Sequence, residues 1–173
     1  MGALADTILE ITDSDSAGLS LLTKDSKTPH VDGNRFYWPA IAGMWNPHVG
    51  RGTPRDFGPC GDVLDCNNTM LFTHWERRYP YLGCATPLAE EGLLVPFYVG
   101  GKAVGTIWAI MHSDRRKFDA EDDRGMASLG KFASSAYQAL MDMDISGNAG
   151  ADGVKMHIYL RIVGRLKAGE RVP

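Results

Sequence analysis

Several common chemistries are missing from this sequence. Only three of its 173 residues are cysteine (Cys60, Cys66 and Cys84), and no two stand as Cys-x-x-Cys. An odd count without secretory context argues against a disulfide framework, and the missing pair removes zinc-ribbon and thioredoxin-type motifs. Basic runs are short, Arg77-Arg78 and Arg115-Arg116-Lys117, and the formal net charge is −3. That pattern excludes the electrostatic footprint of a nucleic-acid binder. No apolar run approaches the roughly 20 residues that cross a bilayer. Met1 to Asp6 lacks the basic-then-apolar order of a signal peptide. The expectation is a cytoplasmic protein with neither membrane nor nucleic acid as partner. Gly-x-Ser-x-Gly, His-Glu-x-x-His and the phosphate-binding Walker loop are also missing. The residues after Asp142 are too few for a kinase core, so any signalling output is expected elsewhere.

What remains is ordinary globular composition, 44% hydrophobic and 23% charged, enough for one domain and one sizeable core. Leu4, Ile8 and Ile11 share a helical face, with Leu9 beside them, predicting a helix over 4–11. Ala17 to Thr23 alternates as a strand. Lys24 to Asn34, with Pro29 and Gly33, reads as a turn. Arg35 to Ala42 is the expected antiparallel partner, with Pro39 demanding an edge or a bulge. Gly43 to Gly61 holds three prolines and five glycines and predicts a long functional loop. A short helix over 62–67 and a strand over 70–73 follow. His74 to Pro87 shows no period.

The sharpest signal is two apolar runs, 93–99 and 102–112, joined by Gly100-Gly101, which supplies the positive φ angles of a tight hairpin. Ala103, Gly105, Ile107, Ala109 and Met111 fall on one face of the second run, and Val104, Thr106, Trp108, Ile110 and His112 on the other. Both faces are mostly apolar, so this is a central strand. Asp119 caps a final helix. Met126, Leu129, Ala133, Ala136 and Leu140 step 3-4-3-4 along it, which suits either a dimer seam or packing on the domain's own sheet. Residues 142–153 read as a linker, and 154–166 fit strand and helix equally. The sum is an α+β domain: a central antiparallel sheet of five or six strands flanked by helices, with the domain at 4–142 and a linker and extension at 143–173.

Candidate site residues crowd the irregular segments: Trp45, His48, Arg55, Asp56, Phe57, Phe72, His74, Trp75 and Tyr81, with Trp108 on the central strand. Aromatic walls with sparse polar groups suit a small-molecule cavity, and equally a core beneath loops. Arg55 offers a two-pronged contact to a carboxylate or phosphate, or a local pair with Asp56. Cys60, ahead of the short helix, is either a thiol activated by helix amides or a small buried one. His48, Cys60 and His74 form no clear metal set, so no metal and no cofactor is assigned. His112 has no partner visible in the sequence and is read as structural.

The string 100–109 (Gly-Gly-Lys-Ala-Val-Gly-Thr-Ile-Trp-Ala), followed by Arg-Lys-Phe-Asp-Ala-Glu-Asp at 116–122, resembles the closing hairpin and last helix of a GAF domain. Asp-Ser-Ala-Gly-Leu-Ser-Leu-Leu at 15–22 is similar to the family's first strand. Residues 50–65, with Thr-Pro-Arg-Asp-Phe-Gly-Pro-Cys-Gly, resemble a subtype from the sensory part of bacterial histidine kinases. The resemblance implies a cytoplasmic sensor in a two-component system, binding a small molecule or sensing redox state. It implies a homodimer built through the terminal helices, with a kinase or other signalling partner. It also implies two alternatives. One is a ligand-free dimerisation module. The other is a free methionine-(R)-sulfoxide reductase using Cys60 and Cys84, although Gly50, Trp108 and Ile110 depart from that family's further cysteine and acidic positions. Bilin attachment is not implied, since Cys60, Cys66 and Cys84 precede Gly61, Asn67 and Ala85 rather than histidine.

Overall fold

The computed structural model describes residues 2–24 and 33–146. Among these residues the α-helices and strands follow in the order α1 (Gly2–Thr12), β1 (Ser16–Thr23), β2 (Arg35–Gly43), β3 (Gly52–Pro54), α2 (Pro59–Cys66), β4 (Met70–Thr73), α3 (Trp75–Arg78), β5 (Glu91–Val99), β6 (Lys102–Met111) and α4 (Ala120–Ser146). The strands form one sheet in the order β3-β2-β1-β6-β5-β4, and every pairing is antiparallel. The expected α+β architecture is therefore present, with six strands. Among the described residues no helix is long and apolar enough to cross a membrane.

β1 and β6 pair in the middle of the sheet, and all eight residues of β1 are buried. Gly100 and Gly101, with φ of 56° and 76°, close the β5–β6 hairpin, as a turn matching strand twist requires. A register shift beside Tyr98 and Ala103 disturbs the period of two. Val104 consequently joins the cluster that includes Ile107 and Ala109, not the Trp108 and Ile110 side on which simple alternation places it. Pro39 lies in a second irregularity, where the pairing of β1 with β2 skips between Leu19 and Leu21. That placement answers its missing N–H.

α1 and α4 cover one face. Leu4, Ala5 and Ile8 are buried, whereas Ile11 is 55% exposed, contrary to the predicted stripe; Thr12 fills the inner position and bonds back to the Ile8 carbonyl. On α4 the inward line is Met126, Gly130, Ala133 and Tyr137, so the apolar spacing is used on the domain's own sheet. Gly130 permits this approach, since a Cβ there would come within 2.7 Å of Val95. Ser134 and Gln138 accept the backbone N–H groups of Tyr98 and Gly100, fixing the helix to the hairpin. α4 continues to Ser146, beyond the start of the expected linker. Most of the 24–34 turn, Leu140's side chain and the 154–166 segment lie outside what is described.

The opposite face carries α2, α3 and the connections. The long 43–61 segment is not one loop: it holds one-turn helices at Asn46–His48 and Arg55–Phe57, and β3 between them. α2 starts at Pro59 instead of 62, because Gly58 is extended and Pro59 fits a helix's first turn.

Asp119 caps α4 by accepting the N–H groups of Glu121 and Asp122. Asp119→Ala is expected to lower unfolding stability by about 1 kcal/mol in urea titration, with the sheet intact by circular dichroism.

Candidate functional site

The site begins at the central strand pair. Trp108 on β6 lies directly opposite Gly18 on β1, and its indole occupies the space a side chain would need: a Cβ at Gly18 would stand 2.5 Å from it. The Trp108 Nε1–H donates to Ser20 Oγ at 3.0 Å. Cys60, in the first turn of α2, also donates to Ser20 Oγ (3.3 Å) and accepts from the Thr106 hydroxyl (3.2 Å). Ser20 and Thr106 are cross-strand partners, both fully buried. Their hydroxyls therefore have to find partners inside the protein.

A second strand glycine makes a second slot. Trp75 on α3 lies over Gly92 of β5, where a Cβ would fall 1.9 Å from the indole. Trp45, just after β2, stands between the others. Its ring lies 6.3 Å from Trp38, 6.2 Å from Trp75 and 6.0 Å from Trp108. The chain has four tryptophans, and all four line one cavity with Cys60, Leu82, Leu94 and Ile110, while Ser20 and Thr53 supply hydroxyls. The cavity measures about 20 Å³, room for one water molecule. No lining residue is charged.

Residues 74–89 form a cover that puts Trp75 and Leu82 into the cavity wall. α3 is tied to α2 where Tyr79 Oη donates to Asp62 (2.6 Å) and Arg78 pairs with the same carboxylate (2.6 Å). Burial and the Asp62 charge push the Tyr79 phenol well above its usual value. Further along, three consecutive carbonyls are each held by a different ring. His48 Nε2 reaches Thr86 O (3.3 Å), Trp45 Nε1 reaches Pro87 O (2.7 Å) and His112 Nδ1 reaches Leu88 O (2.8 Å).

Of the residues singled out in sequence, Trp45, Cys60, Trp75 and Trp108 come together at the cavity. Phe72 packs behind, against Trp75 and Tyr79. His48 is buried edge-on to Trp45. The rest point elsewhere. Arg55 turns to the protein's own carboxylates, with both terminal guanidinium nitrogens on Asp65 and one of them also on Asp56, so its fork is already filled. Phe57 and Tyr81, 58% and 46% exposed, pair with each other outside. His74 is exposed with φ of 51°. Cys84 is exposed and donates to Tyr81 O, whereas Cys60 is buried. Burial pushes the Cys60 thiol up, outweighing the hydrogen bonds to Ser20 and Thr106. The position at a helix start therefore does not give the activated thiolate that sequence position suggests. His48, Cys60 and His74 do not gather, and among the described residues no group of three such side chains could hold a metal. Trp38, Ser20 and Thr53 escaped sequence reading. Phe36 and Trp38, two apart on β2, carried a period-two signal that marks one face.

No family model matches the chain, and no curated protein matches it. Solved structures do. The chain is similar to the second GAF domain of DevS from Mycobacterium smegmatis (TM-score 0.68, 16% identity, covering 84% of this chain and 96% of that one). It is also similar to the GAF domain of Acinetobacter phosphoenolpyruvate-protein phosphotransferase (TM-score 0.65, 14% identity, 85% and 83%). A third likeness is to the type II free methionine-R-sulfoxide reductase of Thermoplasma acidophilum (TM-score 0.60, 18% identity, 78% and 87%). The fold is the GAF fold.

Two outcomes are expected. In native protein an aromatic disulfide reagent labels Cys66 and Cys84, while Cys60 reacts only on denaturation. Gly92→Ala forces a methyl group into the Trp75 ring and lowers stability by about 1–3 kcal/mol, read by chemical denaturation.

Proposed function

We propose that this GAF-fold chain is a sensory module that takes up a small uncharged molecule between its sheet and the 74–89 cover. The observation that carries this reading is the convergence of all four tryptophans on a cavity with no charged wall. Apolar walls with a few hydroxyls favour a neutral ligand, and a carboxylate or phosphate there would be a buried, unpaired charge. The cavity admits about one water, so a larger ligand has to select a state in which Leu82 and the chain after it have moved outward. A ligand shifts only the equilibrium between states that it binds differently.

The buried, raised Cys60 thiol speaks against both a redox sensor and a sulfoxide reductase centred on that residue, although the fold is shared with such a reductase. Output would pass through α1 and α4. Ile11 and Phe132, 55% and 48% exposed on these helices, are where a second copy would dock. A cytoplasmic two-component pathway with a kinase partner is the setting that suits such a module.

A thermal-shift screen of metabolites tests the reading. Neutral, mainly aromatic compounds are expected to raise Tm by about 5 °C or more at roughly a hundredfold excess over Kd. Trp108→Ala removes the effect. A screen in which nothing shifts Tm, or in which anions alone do, would leave the ligand-free module as the better account.

A further inference from the structure

His48 comes from the turn after β2, and His112 follows β6; both reach the same short stretch of the cover. Their hydrogen-bond partners fix their protonation. A carbonyl oxygen only accepts, so His112 Nδ1 carries a proton and donates to Leu88 O (2.8 Å). Its Nε2 lies 2.8 Å from Ser16 Oγ, which also accepts the Trp45 N–H at 2.9 Å. The network closes when Nε2 is bare and accepts the Ser16 hydroxyl. For His48, a guanidinium only donates, so Nδ1 accepts from Arg51 (3.3 Å) and Nε2–H donates to Thr86 O (3.3 Å). Both rings are thus neutral, each with one nitrogen giving and one receiving.

We infer that residues 74–89 form a proton-operated cover of the tryptophan-lined cavity, latched by the hydrogen bonds of His48 and His112 and released when the His112 ring takes up a proton. The inference rests on the cavity being the ligand site and states how entry to it is regulated.

A second proton on His112 undoes its arrangement at a definable atom. It would sit on Nε2, leaving Ser16 Oγ between two donors, that proton and the Trp45 N–H. The charged groups facing His112 are Asp15, whose carboxylate takes the His112 backbone N–H at 2.8 Å, and Arg115, which pairs with Asp15 at 3.4 Å. Facing His48 is Arg51. Within the cover, Arg78 pairs with Asp62 across α2. Beyond it, Glu91 is buried and receives the Phe118 N–H. Burial holds His112 below the ordinary imidazole value of 6.5, against the upward pull of the Leu88 carbonyl and Asp15. The folded state therefore binds fewer protons than the unfolded one. The latch is fully effective above about 6.5 and is lost as pH falls from there through the depressed value. The Tyr79–Asp62–Arg78 tie remains on the far side, so the cover swings from α3 while the sheet stays formed.

Acrylamide quenching of tryptophan fluorescence on the full, ligand-free chain tests this, because every indole lies at the covered cavity. Between about pH 7.5 and about pH 5, the region where histidine titrates, the quenching constant should rise severalfold with the far-UV dichroism unchanged. The double variant His48→Gln with His112→Gln should show a flat profile. The single variant His112→Gln, which removes the titrating ring and keeps an amide in its place, should flatten most of the rise even if the double variant does not fold. The inference is overturned by a flat profile in the unsubstituted protein, by a rise that tracks loss of secondary structure, or by an undiminished rise in the double variant or in His112→Gln. A ligand screen without hits near neutral pH would sink the sensor reading yet leave this quenching curve as it stands.

Discussion

The pairing of β1 with β6 is the constraint on which everything else hangs. Both strands lie at the centre of the sheet, covered on two sides. Water cannot satisfy a polar group there, so each hydroxyl must find a protein partner. Ser16 receives the Trp45 N–H and meets His112; Ser20 receives Trp108 and Cys60; Thr106 donates to Cys60. These contacts position the parts of the irregular face. The strand pair fixes the loop that carries Trp45, the helix that carries Cys60 and, through His112, the far end of the cover.

The opposite face is fastened differently. Arg115 binds Asp13 and Asp15, while Arg116 joins the Thr12 carbonyl to Asp122 at the start of α4. Here the end of one helix is bound to the beginning of another by forked, charge-assisted contacts. Asp15 belongs to both systems, since it also holds the His112 backbone N–H. A disturbance near the cover thus has a short physical route to the helical face, through a carboxylate shared between two partners.

How far this was legible in the sequence differs by element. The hairpin at Gly100-Gly101 and the Asp119 cap are local: each is decided by two or three adjacent residues whose backbone chemistry permits few alternatives. β3 was illegible because three residues pairing only with Arg35 to Tyr37 carry no period to detect. The face of Val104 was misread because the bulge beside it is a property of the pair, absent from either strand alone. For the site, the crowding of aromatics was visible but not their direction. Trp45 and Trp75 turn inward while Phe57 and Tyr81 turn outward, and no repeating geometry relates such positions in irregular backbone. Arg55 looked available because its second carboxylate, Asp65, lies one helix further on. Cys60 looked activated because a helix start is readable in sequence, whereas depth of burial is not.

The bare backbone at Gly92 beneath the Trp75 indole carries an evolutionary corollary. Neither position can drift alone. A side chain gained at 92 has nowhere to go while the indole remains, and a smaller ring at 75 exposes a strand floor with nothing to fill it. Related chains that have lost this arrangement should therefore show correlated replacement, with a reduced residue at 75 accompanying any branched or bulky one at 92.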